Sequence, residues 1–109
     1  MRDQRKIGDV ILPLLKDPSV RVRASAVLTC AGLREIRAVP RLFEIANDPK
    51  NIKADPGMFG SIGELAMFAL GRVGDETAHA ALTKLSASHD PAIARAAAAQ
   101  LDKPSATIK

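Results

Sequence analysis

An all-α fold, built as a short array of about three helix pairs, is predicted from three observations. A spaced pattern recurs, Asp-Pro and Gly punctuate it, and the core alphabet is small and aliphatic. The pattern first appears in Asp17 to Gly32, DPSVRVRASAVLTCAG, with Val20, Ala24, Val27 and Leu28 at its apolar positions. It returns as Ile62, Ala66, Ala69 and Leu70 at an offset of 42, and as Ile93, Ala97, Gln100 and Leu101 at an offset of 73. Repeated units near 31 residues long signal stacked supersecondary units that bury their apolar faces against each other. Three Phe with no Tyr or Trp leave Ala, Leu, Ile and Val to fill the interior, which suits closely approaching helices. At 109 residues the chain is a single domain, 1–109.

The elements follow in order. Ile7, Ile11, Leu12 and Leu15 share one side of a helix from about Gln4 to Lys16, which Pro13 must kink or shorten. Asp17-Pro18 ends it and opens a second helix to Ala31, closed at Gly32. These make the first unit, about 4–32. The second, 33–74, starts with a helix over Ala38 to Asn47, with Pro40 in its first turn. Its Asp48-Pro49 lies 14 residues before Ile62, against three in the first unit, so 11 residues are inserted. The insertion, 49–60, holds two Pro and two Gly and no helical period; it reads as a loop that can be removed without loss of the fold. Ser61 with Glu64 predicts a capping box and a helix to about Arg72. The third unit, 75–101, has helices from Glu76 to Ser88, capped by Asp75, and from Ala92 to Leu101 behind Asp90-Pro91. The tail, 102–109, is expected to fray.

Composition narrows the function classes. Cys30 is the only cysteine, so the chain forms no internal disulfide, and a reducing, cytoplasmic location is expected. The N-terminal stretch lacks an export signal, and no stretch reaches the roughly 20 apolar residues of a membrane span. The net charge of +4 is uneven: residues 1–53 carry eleven Lys/Arg against six Asp/Glu, and residues 54–109 five against six. His79 and His89 have no partner at metal-ligand spacing, Cys30 has no nearby His, and Gly57, Gly60 and Gly63 follow no strand. No catalytic residue, metal or cofactor is therefore expected, and Cys30 reads as a buried structural thiol.

The run DPSVRVRASAVL, followed by AVPRLFEIANDP and ALGRVGDETAHAAL, resembles the short HEAT repeats of the phycobilisome-lyase type over about residues 4–101. The resemblance implies a short right-handed α-solenoid of about three HEAT-like helix pairs, a general binding scaffold. It departs from the repeat pattern at Arg21, which is Gly63 and Ala94 in the later units, and in the insertion.

Two surfaces are candidates. Placed about 100° apart around each second helix, the residues opposite Val20, Ala24 and Val27 are Val22, Ser25, Ala26 and Thr29. Their counterparts are Glu64, Met67, Phe68 and Gly71, then Arg95, Ala98 and Ala99. This strip is more apolar than a solvated face needs to be and reads as the partner-binding inner face, or as a homodimer contact. The alternative is a basic patch of Arg34, Arg37 and Arg41, fit for phosphates. The expectation is a non-enzymatic protein-interaction or assembly scaffold without membrane contact. An accessory subunit of a bilin lyase-like complex, implied by the resemblance alone, and a basic nucleic-acid-binding module are the two rivals.

Overall fold

Pro13 sets the form of the first element in the computed structural model, which describes residues 2–53 and 60–102. α1 (Arg2–Ile11) is a regular helix, and the chain then tightens into a 3-10 helix over Leu12–Lys16. Proline has no N–H to bond four residues back, and its ring crowds the carbonyl of Asp9, so the regular ladder stops before it. Ile7, expected on the buried side, is 44% exposed, and Val10 is 67% exposed. Gly8 is the buried residue of α1, because the Glu35 and Arg37 side chains lie across it where a Cβ would stand.

α2 (Val20–Leu33) opens at Ser19, one residue past the expected Asp17-Pro18 start. The Val22 N–H donates to the Ser19 hydroxyl at 3.4 Å, while Asp17 accepts from the Ser19 N–H at 2.9 Å and shapes the turn before it. The helix runs past Gly32 and closes at Arg34, whose left-handed φ of 53° lets its N–H reach the Ala31 and Cys30 carbonyls. A 3-10 turn, Ile36–Ala38, leads into α3 (Val39–Ala46) with Pro40 in its first turn.

α4 (Ile62–Val73) has the expected capping box. The Glu64 N–H donates to the Ser61 hydroxyl at 3.1 Å, and the Ser61 N–H donates to the Glu64 carboxylate at 3.2 Å. It closes at Gly74, φ 69°. α5 (Glu76–Ser86) starts at Asp75, which accepts from the Ala78 and Thr77 N–H groups; the Thr77 hydrogen bond, first, holds the Asp75 carboxyl below its usual range. α6 (Pro91–Asp102) starts at Asp90, which accepts from the Ala92 and Ile93 N–H groups. The described residues are thus all-α, with six α-helices and no strand.

The contacts sort these helices into two layers. α2 packs along α4 and α4 touches α6, while α3 and α5 pack on α4 and α6 and touch each other. In the first layer, Arg41 Nε donates to the Leu15 carbonyl at 3.2 Å, and Lys84 Nζ stands 5.4 Å from the centre of the Phe43 ring. These contacts set α3 between the Leu12–Lys16 turn and α5. The shortest dimension, 21 Å against 39 and 37 Å, is close to two helix diameters of about 10 Å each. One continuous apolar cluster lies between the layers, from Leu15 through Val27, Leu42, Met67 and Leu70 to Ile93.

The insertion differs from the expected free loop. Pro49–Ile52 forms a 3-10 turn capped by Asp48, and Asn51 Nδ2 donates to the Ile45 carbonyl at 3.0 Å. Ile52 packs against the core, and a Cβ on Gly63 would stand 2.7 Å from Ile52 Cδ1 and 2.8 Å from the Asn51 carbonyl oxygen. This part of the insertion is built into the interior because α4 presents a bare backbone to receive it. Residues 54–59, and the tail after Asp102, lie outside the described residues.

Candidate functional site

The expected partner strip depends on how each second helix is turned about its own axis. α2 and α4 share one buried stripe, Ala24, Val27 and Ala31 in α2 and Ala66, Ala69 and Val73 in α4. Beside that stripe the two helices differ. α2 also buries Ala26 and Cys30, whose counterparts Phe68 and Arg72 are exposed in α4. α4 also buries Gly63, Met67 and Leu70, whose counterparts Arg21, Ser25 and Leu28 are exposed in α2. At about 100° per residue, the buried arc of α4 is rotated by roughly a quarter-turn from that of α2. The cause is in the residues: each helix turns inward the flank that lacks charge and bulk at its neighbours' approach.

Three expectations change accordingly. Met67, assigned to the partner strip, is fully buried at 0% exposure, and Ala26 is buried with it. Leu28, assigned to the core, is 50% exposed, because α2 buries the opposite flank. The rest of the strip stays at the surface. Ser25, Glu64, Phe68, Gly71, Arg95 and Ala99 are exposed, and Val22, Thr29 and Ala98 are half-buried. The Thr29 hydroxyl donates to the Ser25 carbonyl at 2.9 Å, and the Glu64 carboxylate is engaged by Ser61 in the capping box. Phe68, at 38% exposure, is the large apolar side chain of α4 that the interior leaves out.

The resulting surface runs across the solvent side of the second layer. Arg21, Ser25 and Leu28 form its edge on α2, Glu64, Phe68 and Arg72 its middle on α4, and Arg95 and Ala99 its edge on α6. Leu28 and Phe68 belong to neighbouring helices that pack along each other, and both point away from the first layer. Sequence reasoning missed Leu28 and Arg72. The signal was available in the flank composition, since Ala26 and Cys30 are better interior residues than Phe68 and Arg72.

The basic patch is not a free set of charges. Arg37 Nη1 lies 2.6 Å from Asp9 Oδ1 and its Nε 2.8 Å from Glu35 Oε2, and Nη2 also donates to the Arg5 carbonyl at 3.3 Å. The Arg37 hydrogen bond lowers the Glu35 carboxyl below its ordinary range. Arg41 is held by the Leu15 carbonyl and by Glu44 Oε1 at 3.1 Å. Arg34 is exposed at the α2 C-cap. The three therefore do not form the phosphate-tracking group expected of them, because two serve as struts between elements.

Cys30 is fully buried, and desolvation, with the nearby Glu35 charge, pushes its thiol up to about 11. It stays protonated at neutral pH and packs as an apolar side chain. Among the described residues no three His, Cys, Asp or Glu side chains gather in a metal-binding group, and no helix is long and apolar enough to cross a membrane. Compared with protein-family models, with curated proteins and with solved structures, the chain matches none.

Proposed function

We propose that this chain is a short HEAT-like α-solenoid that binds a protein partner on the solvent face of its second helices, without chemistry of its own. The observation that carries this reading is the pair Leu28 and Phe68, 50% and 38% exposed on adjacent helices of a well-filled core. Removing two such side chains from water is a gain that the chain's own fold leaves unused. The two-layer packing and the repeated apolar stripe support the HEAT-like form, and the lyase-accessory role rests on the resemblance alone.

The test is a double substitution, Leu28→Ser with Phe68→Ser. Neither side chain belongs to the buried cluster, so the melting temperature should stay within a few degrees of the parent. Binding to a partner recovered from the native host should weaken substantially, since an interface anchor is worth about 1 to 4 kcal/mol on truncation. Unchanged affinity in an otherwise folded double variant would remove the face from consideration.

A further inference from the structure

Charge of one sign surrounds this face, and nothing inside the molecule uses it. Arg23 donates to the Asp17 and Pro18 carbonyls, Arg37 bridges Asp9 and Glu35, and Arg41 joins Leu15 to Glu44. Arg21, Arg72 and Arg95 differ from these. They are exposed, one on each of α2, α4 and α6, and none makes a salt bridge among the described residues. Glu64, the acidic residue nearest Phe68 in α4, turns its carboxylate onto Ser61.

The spacing ties these charges to the apolar pair. Arg21 precedes Leu28 by seven residues, two helical turns on one stripe of α2, and Arg72 follows Phe68 by four, one turn on one stripe of α4. Each apolar anchor thus has a guanidinium on its own stripe, with Arg95 beyond on α6. A seam between two packed helices accepts the ridge of a third, and guanidinium groups select carboxylates by paired hydrogen bonds. A nucleic-acid backbone would satisfy the arginines and leave Leu28 facing phosphate and water.

We propose that the α2–α4 face takes an acidic amphipathic helix, whose apolar stripe covers Leu28 and Phe68 and whose carboxylates meet Arg21, Arg72 and Arg95. The proposal rests on the reading of this face as a protein-docking surface and adds the chemistry of the partner.

The experiment uses the full chain and two synthetic helical peptides of about 16 residues, four to five turns. Both carry leucines at helical spacing; one has Glu at its remaining positions and the other Lys. Binding is read by fluorescence anisotropy at low and at raised salt, beside a short DNA duplex. The Glu peptide should bind about tenfold or more tightly than the Lys peptide and lose affinity as salt screens the contacts. Arg21→Glu, Arg72→Glu and Arg95→Glu together should invert that preference, with folding checked by circular dichroism. If the triple variant does not fold, Arg21→Glu and Arg95→Glu are read singly, each reducing the preference.

If the Lys peptide binds as tightly as the Glu peptide and Leu28→Ser with Phe68→Ser weakens both, the acidic partner is overturned while the docking face stands. If neither peptide binds, or the double serine variant binds undiminished, both are overturned. Preferential binding of the DNA duplex would overturn the acidic helix and assign the arginines to phosphate.

Discussion

α2 and α4 occupy the same place in successive units and solve it differently. α4 lies between α2 and α6, touches α3, α5 and the Pro49–Ile52 turn, and buries Gly63, Met67 and Leu70 beside the shared stripe. α2 has α1 with its 3-10 extension and α4 as main neighbours, and buries Ala26 and Cys30 instead. A repeat fixes which residues recur, while the rotational setting of each helix follows from what stands on its flanks. The functional surface is the part that changes hands: Met67 goes inside and Leu28 comes out.

The largest expected effect separates the two helices at their matching positions. Met67→Asp places an unpaired charge at a fully buried site and should destabilise the fold by about 3 to 5 kcal/mol in urea unfolding. Ser25→Asp, at the corresponding exposed position, should stay within about 0.5 kcal/mol of the parent. Equal losses at the two positions would mean that α2 and α4 are turned alike.

Gly63→Ala comes next, because its Cβ would press on Ile52 and the Asn51 carbonyl. Overpacking of that kind should cost about 1 to 3 kcal/mol. Arg21→Ala, its counterpart on the open flank of α2, should leave the unfolding midpoint nearly where it was. The same pair of measurements checks whether the inserted turn is bound to the core.

The helix starts give a smaller contrast. Ser61→Ala removes a reciprocal cap at a residue only 1% exposed and should cost about 1 to 2 kcal/mol. Ser19→Ala removes one longer hydrogen bond at an exposed residue, and its loss should lie at the lower end of that range or beneath it. The helix ends give the smallest. Arg34→Gly should stabilise by about 0.5 to 1 kcal/mol, since glycine occupies the left-handed region without strain. Gly74→Ala should lose a similar amount, and opposite signs in thermal unfolding would confirm that α2 ends at Arg34.

Much of this was legible because it depends on local chemistry. Ser61 with Glu64, Asp75 and Asp90 mark helix starts by side chains that accept from free N–H groups, and those starts appear where expected. The end of α2 was misplaced because Gly32 suggested a stop, yet the Arg34 N–H completes the last turn. Ile52 could not be placed from periodicity, since its burial depends on the bare backbone at Gly63, a contact between residues of different elements. Leu28 and Met67 were misassigned for a related reason: a shared offset transfers faces only when both helices have neighbours on the same sides.

α1 brings a different thermodynamics to one end of the molecule. Among its described side chains Ile7 and Val10 remain largely in water, and its attachment runs through Asp9 and the Arg5 carbonyl to Arg37, over Gly8. Release of α1 would expose little apolar surface, so it should carry a small heat-capacity change, unlike the unfolding of the layers beneath it. Salt should loosen the attachment by screening. Glu35 titrates below its ordinary value, so its share is present above the unfolded carboxylate range and lost as pH falls through the lowered one. In hydrogen exchange, α1 should therefore open first in acid or salt while α4 keeps its protection, giving the chain one end governed by ionic conditions and a body governed by temperature.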